Sequence, residues 1–348
     1  MLNQARFQNF TCLPNATWEF ASGINVIVGE NGLGKSHALK ALYAVLKVQA
    51  DARDLSKSTL EKALADKLVA VLRPESLGRL AKRKQGRERC EIALDMENEE
   101  HSCAIGFATN AKTMVDVVKA PTKALSLSPA YLPTRELVTL CPWFLSLYDN
   151  YHLEFEETWR DTVSLLGSPT LKGPREKEIA ALVAPLETAM GGKVVVDPQT
   201  GRFYVQAAGE GRLEMPLVAE GLRKLAMLAR LISTGILLKQ GFLFWDEPES
   251  NLNPRLIRTV AASIVAVARP GVQVFIATHS LFLVRELALL LGSQTNAGVS
   301  RRWFALADRD NKAVLEQSEK IDHIQTLVML DEELDQSDRY LERDDVHG

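Results

Sequence analysis

Three runs of apolar residues, at 24–28, 242–245 and 272–277, give the chain its first predicted elements. Each run is short and is followed closely by glycine or polar residues. Runs of that length, bounded in that way, are typical of buried strands. Apolar residues at spacings of three and four follow the first run and predict a helix from about Lys35 to Val48. The alternation of strand and helix indicates an α/β fold.

Further helices are predicted wherever the apolar residues keep a period of three to four. They lie within 51–84, where Pro74 breaks the pattern, at about 175–190 and from Pro254 to about 268. Another helix begins near Glu220. Its predicted buried stripe is Leu222, Leu225, Ala226, Ala229 and Ile232, and Arg223, Lys224 and Arg230 lie off that stripe.

Strands are predicted on both sides of these helices. Residues 1–28 alternate short apolar runs with turn residues, and residues 89–119 have the pattern of a β meander. We therefore expect one head over residues 1–330, with antiparallel amino-terminal strands. Its core would comprise about 1–50, 89–135 and 190–320, with a helical and basic insert at about 51–88, a second helical insert at about 136–190, and an acidic tail at 331–348.

A phosphate-binding pattern, G-x-x-x-x-G-K-[ST], lies between the first predicted strand and its helix. Its glycines let the backbone wrap closely around a phosphate, and the loop N–H groups and the positive helix end face the anion. Lys35 supplies a cation for the β- and γ-phosphates, and Ser36 supplies a hydroxyl for Mg²⁺. The predicted ATP-binding residues are Gly29, Glu30, Asn31, Gly32, Leu33, Gly34, Lys35, Ser36 and His37.

Two carboxylates, Asp246 and Glu247, end the second apolar run. With the phosphate loop upstream, Asp246 is predicted to hold Mg²⁺ and Glu247 to orient and deprotonate the attacking water. His279 follows the third run and is predicted to face the γ-phosphate. Lys35, Glu247 and His279 are thus the predicted catalytic residues, Ser36 and Asp246 the metal ligands, and ATP and Mg²⁺ the cofactors.

Composition and charge restrict the class of protein and the cellular compartment that we expect. The chain has 348 residues, 46% hydrophobic and 24% charged, with a formal net charge of −3, which is ordinary for a globular protein. Its four scattered cysteines form no C-x-x-C pair and favour a reducing cytoplasm. We expect no membrane segment, because no apolar run approaches about 18 residues, and no signal peptide.

One basic stretch, Arg73–Arg89, holds seven basic residues against two acidic ones. It is the candidate surface for DNA. The competing interpretation is a solvated loop, which is favoured because no aromatic residues lie among the charges to stack on bases.

The motifs follow one another in a fixed order: the phosphate loop, a glycine-started helix at 220–221, Asp246-Glu247-Pro248, Leu252-Asn253-Pro254, and the strand-end His279. In this order they resemble the ABC-type ATPase heads of the RecF, SMC, Rad50 and OLD group. More narrowly, the segments 131–136, 219–225 and 245–254 resemble compact bacterial AAA-family ATPases that are often found in anti-phage defence systems.

The resemblance implies an ATP-binding α/β core with a helical insert lobe, and ATP held between two heads. It therefore implies self-association into a dimer or higher oligomer, and a separately encoded effector such as a nuclease. The roles that it implies are action in trans for Glu220 and Gly221, a place at the dimer seam for Asn251 and Asn253, and a Q-loop-like position for Thr134, Arg135 and Glu136.

The chain also departs from these relatives. The transporter signature Leu-Ser-Gly-Gly-Gln is replaced by residues 218–222, Val-Ala-Glu-Gly-Leu. We expect neither the long coiled coil of Rad50 and SMC proteins nor the TOPRIM nuclease domain of the OLD type. The sequence does not identify the residue that contacts adenine. Phe7 or Phe10 would stack on it, or both are core residues.

Four functions compete on this basis. The leading one is an ATPase that dimerises around ATP and controls a separate effector in anti-phage defence. The main alternative is a DNA-binding repair or recombination ATPase of the RecF or Rad50 type. A transporter's nucleotide subunit and a scaffold that binds ATP but barely hydrolyses it are the others.

Overall fold

The computed structural model describes residues 1–82, 89–151, 153–207, 209, 211–238, 241–310 and 312–345. Its strands are β1 (Leu2–Gln8), β2 (Ala16–Glu19), β3 (Ile24–Gly29), β4 (Arg89–Met96), β5 (Cys103–Ala108), β6 (Asp116–Lys119), β7 (Ala130–Leu132), β8 (Lys193–Val196), β9 (Phe203–Gln206), β10 (Arg212–Glu214), β11 (Phe242–Asp246), β12 (Gln273–Thr278), β13 (Arg301–Arg309) and β14 (Lys312–Ser318). Its α-helices are α1 (Lys35–Asp51), α2 (Lys57–Leu72), α3 (Phe144–Tyr151), α4 (Glu157–Gly167), α5 (Glu176–Met190), α6 (Glu220–Ser233), α7 (Pro254–Ala268), α8 (Leu281–Gly292) and α9 (Val328–Asp345).

The central sheet has the order β14-β13-β3-β12-β11-β7 and is parallel except for β14. Strands β3, β12 and β11 are buried along their whole length. In β12, Val274 and Ile276 pack into a core cluster on one face, and Phe275 and Ala277 pack into a second cluster on the other. A strand covered on both faces needs apolar residues at every position, which explains the continuous apolar runs.

Different layers build the two clusters. Helices α6, α7 and α8 contribute to the first, and α1, α2 and an antiparallel sheet of order β2-β1-β4-β5-β6 contribute to the second. Gln273 joins the two sheets, because its buried amide accepts from the Leu2 N–H at 2.9 Å and donates to the carbonyls of Leu2 and Ala21 at 2.8 Å each. The predicted α/β class and the antiparallel amino-terminal strands are confirmed.

Phe7 and Phe10 belong to the core. Their rings lie 5.8 Å apart, and Phe7 also packs edge-on to Trp18 at 5.9 Å. Both phenylalanines are buried in the second cluster. The alternative in which one of them stacks on adenine is therefore wrong, since neither ring has a free face.

Lys224 and Arg230 on α6 were predicted to lie off the buried stripe. That prediction was wrong, because both side chains are buried. The Arg230 guanidinium donates to the carbonyls of Leu166 and Ser168 at 2.9 and 2.6 Å. Apolar periodicity marks only one face of a helix. The opposite face of α6 is covered too, and the Lys224 and Arg230 side chains there donate to carbonyl and hydroxyl groups of the protein.

The predicted insert ranges contain helices. Helix α2 lies within 51–88 and buries Leu60, Leu64 and Leu68, and α3, α4 and α5 lie within 136–190. Helix α9 covers most of the predicted acidic tail, and its residues 331–342 are exposed. Among the described helices, none combines the length and the apolar character that crossing a membrane requires.

The basic stretch is described only up to Lys82 and again from Arg89. In the described part, Arg79 pairs with Glu75 at 2.7 Å and Arg89 pairs with Asp116. Part of the positive charge of this stretch is therefore neutralised by ion pairs within the protein. Arg83, Lys84 and Arg87 lie outside the described residues.

The buried rings of the central sheet should contribute strongly to stability. Phe275 is fully buried and stacks on Phe244 at 4.8 Å, whereas Phe282 on α8 is 38% exposed. We expect Phe275→Ala to lower the free energy of unfolding by about 3–5 kcal/mol, through lost burial and a residual cavity. Urea unfolding measures this, with Phe282→Ala as the control. Equal losses in the two variants would contradict the packing described here.

Candidate active site

The carboxyl ends of β3, β12 and β11 meet at one edge of the central sheet. Thr278 lies opposite Val28 in the register, and Asp246 lies opposite Ala277. The phosphate loop follows β3, Asp246 and Glu247 end β11, and His279 follows β12. Parallel pairing therefore brings together three segments that are far apart in sequence.

The phosphate loop closes tightly before α1. Gly34 has φ 95° and caps the helix, and a Cβ on it would lie 2.8 Å from Leu13 and 2.9 Å from the Cys12 sulfur. Only glycine fits this left-handed, crowded position. The Lys35 ammonium donates to the carbonyls of Gly29 and Glu30 at 2.7 and 2.9 Å. Burial lowers the pKa of Lys35, and the neighbouring carboxylates, Glu247 first, oppose that shift.

The rest of the loop is more open. Glu30, Asn31 and Gly32 are exposed, and Leu33 is partly buried. His37 is partly buried on the first turn of α1, with its Nδ1 3.9 Å from the Cys12 sulfur, and burial lowers its pKa.

Ser36 and Asp246 are in direct contact. The Ser36 hydroxyl donates to Asp246 Oδ1 at 3.1 Å, and the Tyr131 hydroxyl donates to Oδ2 at 3.3 Å. Burial raises the pKa of Asp246, while these two hydrogen bonds lower it. A hydroxyl and a carboxylate side by side are oxygen donors of the kind that Mg²⁺ prefers. The residues present therefore fit a magnesium ion at this position.

Glu247 has an unusual backbone conformation. Its φ is 47°, in the left-handed region that residues other than glycine rarely adopt. Its N–H donates to the Ala277 carbonyl at 2.8 Å. Its carbonyl accepts from the Lys224 ammonium at 3.1 Å and from the Ser250 hydroxyl at 2.9 Å. Both peptide groups are thus held, and the side chain turns off the line of the strand.

His279 lies against two carboxylates. Its Nδ1 is 3.4 Å from Glu247 Oε1 and 3.7 Å from Glu249 Oε1, and its side chain is about half exposed. Glu249 is buried, and its Oε1 accepts from the Thr278 hydroxyl at 2.6 Å and from the His279 N–H at 3.2 Å. Glu249 therefore fixes the strand end on which His279 lies.

Comparison with protein families gives one match. Residues 115–285 match the model of the AAA_21 family, described as an AAA domain, putative AbiEii toxin of a type IV toxin–antitoxin system. No curated protein matches the chain significantly.

Solved structures match nearly the whole chain. An SMC head bound to the C-terminal winged-helix domain of ScpA has a TM-score of 0.57 and 14% identity, over 91% of this chain and 97% of that one. An SMC head with an extended coiled coil, bound to the C-terminal domain of ScpA from Pyrococcus furiosus, gives 0.56 and 12%, over 95% and 98%. The SMC head of Thermotoga maritima gives 0.51 and 12%, over 91% and 98%.

The chain has the fold of an SMC/ABC-like P-loop ATPase head. The predicted fold class and the resemblance to SMC-type heads are confirmed.

Helix α6, named the signature helix because it begins with Glu220 and Gly221, packs on the turn that follows the Walker B pair, Asp246-Glu247. Gly221 is buried, and a Cβ on it would lie 2.5 Å from the Asn251 carbonyl. Asn251 has φ 63° and is exposed. The exposed Asn253 caps α7, because its side chain accepts from the Leu256 N–H at 3.0 Å. Glu220, the first residue of α6, is exposed.

The Q-loop-like segment follows β7 and contacts α6. Arg223 donates to Glu136 Oε1 at 2.7 Å, and Glu136 is buried. The Thr134 carbonyl accepts from the Ser250 hydroxyl at 3.3 Å. Arg135 is exposed. The segment thus joins the signature helix to the turn after Walker B within one subunit.

Helix α4, within the range predicted as the second insert, is linked to Asp246 by polar and aromatic contacts. On α4, Asp161 accepts from the Tyr43 hydroxyl at 2.7 Å and pairs with Lys67 at 2.5 Å. The ring of Tyr43 lies 5.3 Å from that of Tyr131, whose hydroxyl bonds Asp246. Packed polar groups therefore run from α4 to Asp246.

Sequence reasoning gave no role to several residues of this site. Tyr131 adjoins Asp246 only because β7 pairs with β11. Lys224 adjoins Glu247 only because α6 folds over the end of β11. For Glu249 the sequence signal was its place two positions after Glu247, but its burial and its bonds to Thr278 and His279 depend on the tertiary fold.

The packing of Gly221 predicts a stability effect with a defined sign. A helical Gly→Ala change normally stabilises by up to about 1 kcal/mol, but the Asn251 carbonyl leaves no room for a Cβ at position 221. We expect Gly221→Ala to lower the free energy of unfolding by roughly 1–3 kcal/mol. Gly292→Ala is the control, because nothing lies within 4 Å of its Cβ position at the end of α8. Chemical denaturation measures both. A neutral or stabilising Gly221→Ala would refute this contact.

Proposed function

We propose that this protein binds and hydrolyses ATP, closes head to head around it, and uses that switch to control a separate effector. One observation carries the proposal. Lys35, Ser36, Asp246, Glu247 and His279 meet at the carboxyl ends of three adjacent parallel strands. This is the combination of cation, metal ligands and base that phosphoryl transfer needs.

Each of these residues has a distinct proposed task. Lys35 lies at the phosphate loop, where its ammonium would contact the β- and γ-phosphates. Ser36 and Asp246 would hold Mg²⁺, which supplies charge stabilisation to the phosphate oxygens when bound. Glu247 would orient and deprotonate the attacking water. His279 would sense the γ-phosphate, and its contact with Glu247 at 3.4 Å links that sensing to the base.

The head-to-head arrangement is an extension from the family resemblance. Glu220, Asn251 and Asn253 are exposed near the turn after Walker B, so they are available to a second head. We propose that Glu220 and Gly221 act in trans and that the two asparagines line the seam. Within one subunit Gly221 already has a packing role, and the two roles are compatible.

The Q-loop-like residues are proposed to transmit the nucleotide state to the effector. Glu136 is bonded to the signature helix and the Thr134 carbonyl to Ser250, while Arg135 is exposed. The helical insert that follows would receive the signal. Two of the similar SMC heads were solved bound to a domain of ScpA, which supports a protein partner here.

A role in bacterial anti-phage defence is the finer part of the proposal. It is supported by the resemblance of segments 131–136, 219–225 and 245–254 to defence ATPases and by the toxin–antitoxin description of the matching family. A nuclease is the effector we propose. All four cysteines are free, which fits action in a reducing cytoplasm.

A DNA-binding repair or recombination ATPase remains the second candidate. The same fold and site would serve it. Its specific support was the basic stretch, and Arg79 and Arg89 in the described part are paired with carboxylates. No contact among the described residues therefore favours DNA over a protein effector.

Removal of the proposed base should separate binding from turnover. We expect Glu247→Gln to lower the rate of ATP hydrolysis by about 100-fold or more, with ATP affinity retained, because the phosphate loop is untouched. Phosphate release and fluorescent-nucleotide titration measure the two quantities. Glu178→Gln, an exposed change on α5, is the control. Full hydrolysis by Glu247→Gln would show that the assigned mechanism is wrong.

A further inference from the structure

Lys224 is a buried lysine that the proposed mechanism does not use. It lies on the second turn of α6 and is fully buried. Its ammonium donates to the Glu247 carbonyl at 3.1 Å and to the Ser250 hydroxyl. Burying an ammonium group costs desolvation free energy unless it donates hydrogen bonds and lies near opposite charges. The placement of Lys224 therefore needs an explanation.

The positive charge of Lys224 is offset by the carboxylates of the site. Glu249 is the largest of the carboxylate influences on it, followed by Glu247. Burial nevertheless lowers the pKa of Lys224 to about 8. Glu249 Oε2 is itself buried without a hydrogen-bond partner in the described structure. The lysine therefore balances a local excess of negative charge.

The contact of Lys224 is with the peptide group of the proposed catalytic base. Glu247 has a left-handed φ of 47°, a strained conformation for a residue other than glycine, which persists only where surrounding groups hold it. On one side the Ala277 carbonyl binds the Glu247 N–H. On the other side Lys224 and Ser250 bind the Glu247 carbonyl. Lys224 is the charged member of this clamp, and it comes from a different layer of the fold.

We infer that Lys224 is a positioning residue, which holds the backbone of Glu247 so that its carboxylate faces the attacking water. The inference rests on the proposed function, because it assigns a support to the base of that reaction. Lys224 touches neither the phosphate loop nor Asp246 by a hydrogen bond in the described structure. It should therefore affect the chemical step and leave ATP binding nearly unchanged.

The test compares Lys224→Met with the wild type in single-turnover hydrolysis and in fluorescent-ATP titration. Methionine keeps the volume and removes the donor. A displaced base of this kind costs on the order of 10- to 100-fold in rate, so we expect that loss in kcat with a dissociation constant within about twofold. Ser250→Ala, which removes the uncharged member of the clamp, should lower kcat by a smaller factor. If Lys224→Met does not fold, Ser250→Ala serves as the test in its place. An unchanged kcat in Ser250→Ala would then overturn the inference.

A matched lysine controls for general destabilisation. Lys47 on α1 is also largely buried and also donates to a serine hydroxyl, that of Ser128 at 2.8 Å. It lies at the far end of α1 from the phosphate loop. Lys47→Met should lower stability with kcat unchanged. Equal kcat losses in the two methionine variants would overturn the inference, because they would reflect loss of packing alone.

The double variant Lys224→Met/Glu247→Gln tests whether the lysine acts through the base. With the carboxylate gone, Lys224→Met should cause no further loss in the residual hydrolysis rate. An additional loss of the same factor would mean that Lys224 acts by another route.

The single variant Glu247→Gln distinguishes failure of the proposed function from failure of the positioning role. If it hydrolyses ATP fully, the proposed function fails; if it is inactive while Lys224→Met is fully active, only the positioning role fails.

Discussion

The parallel packing of β3, β12 and β11 between two apolar layers is the constraint on which the site depends. Because both faces of these strands are covered, polar side chains are largely excluded from their length and gather at the ends. Parallel pairing then places those ends together at one edge of the sheet. The phosphate loop, the Walker B carboxylates and the strand-end histidine become neighbours for that reason.

The electrostatics of the site come from burying opposite charges together. Burial raises the pKa of Asp246 and lowers the pKa values of Lys35 and Lys224, so each group alone would lose its charge more readily. Their mutual attraction opposes these shifts. Lys35 enters from α1 and Lys224 from α6. The site is thus a cluster of opposite charges that is drawn from both layers of the fold.

Much of this fold could be predicted because its signals are local. The Gly29–Ser36 pattern, the apolar strands and the start of α7 at Pro254 each depend on a few neighbouring residues. What could not be predicted depends on tertiary contacts. Periodicity places Lys224 off the buried stripe of α6, because it does not show that α6 lies over the end of β11. Tyr131 lies in one of the motif segments, but its bond to Asp246 depends on the pairing of β7 with β11.

We propose that ATP closes two heads around a site whose chemistry both heads complete. The most direct test is the solution mass of Glu247→Gln with and without Mg·ATP, by light scattering after size exclusion, because this variant should hold ATP without turning it over. We expect a monomer that becomes a dimer, or a higher oligomer built from such dimers, when ATP is added. A protein that binds ATP and remains monomeric would contradict head-to-head closure by this chain alone.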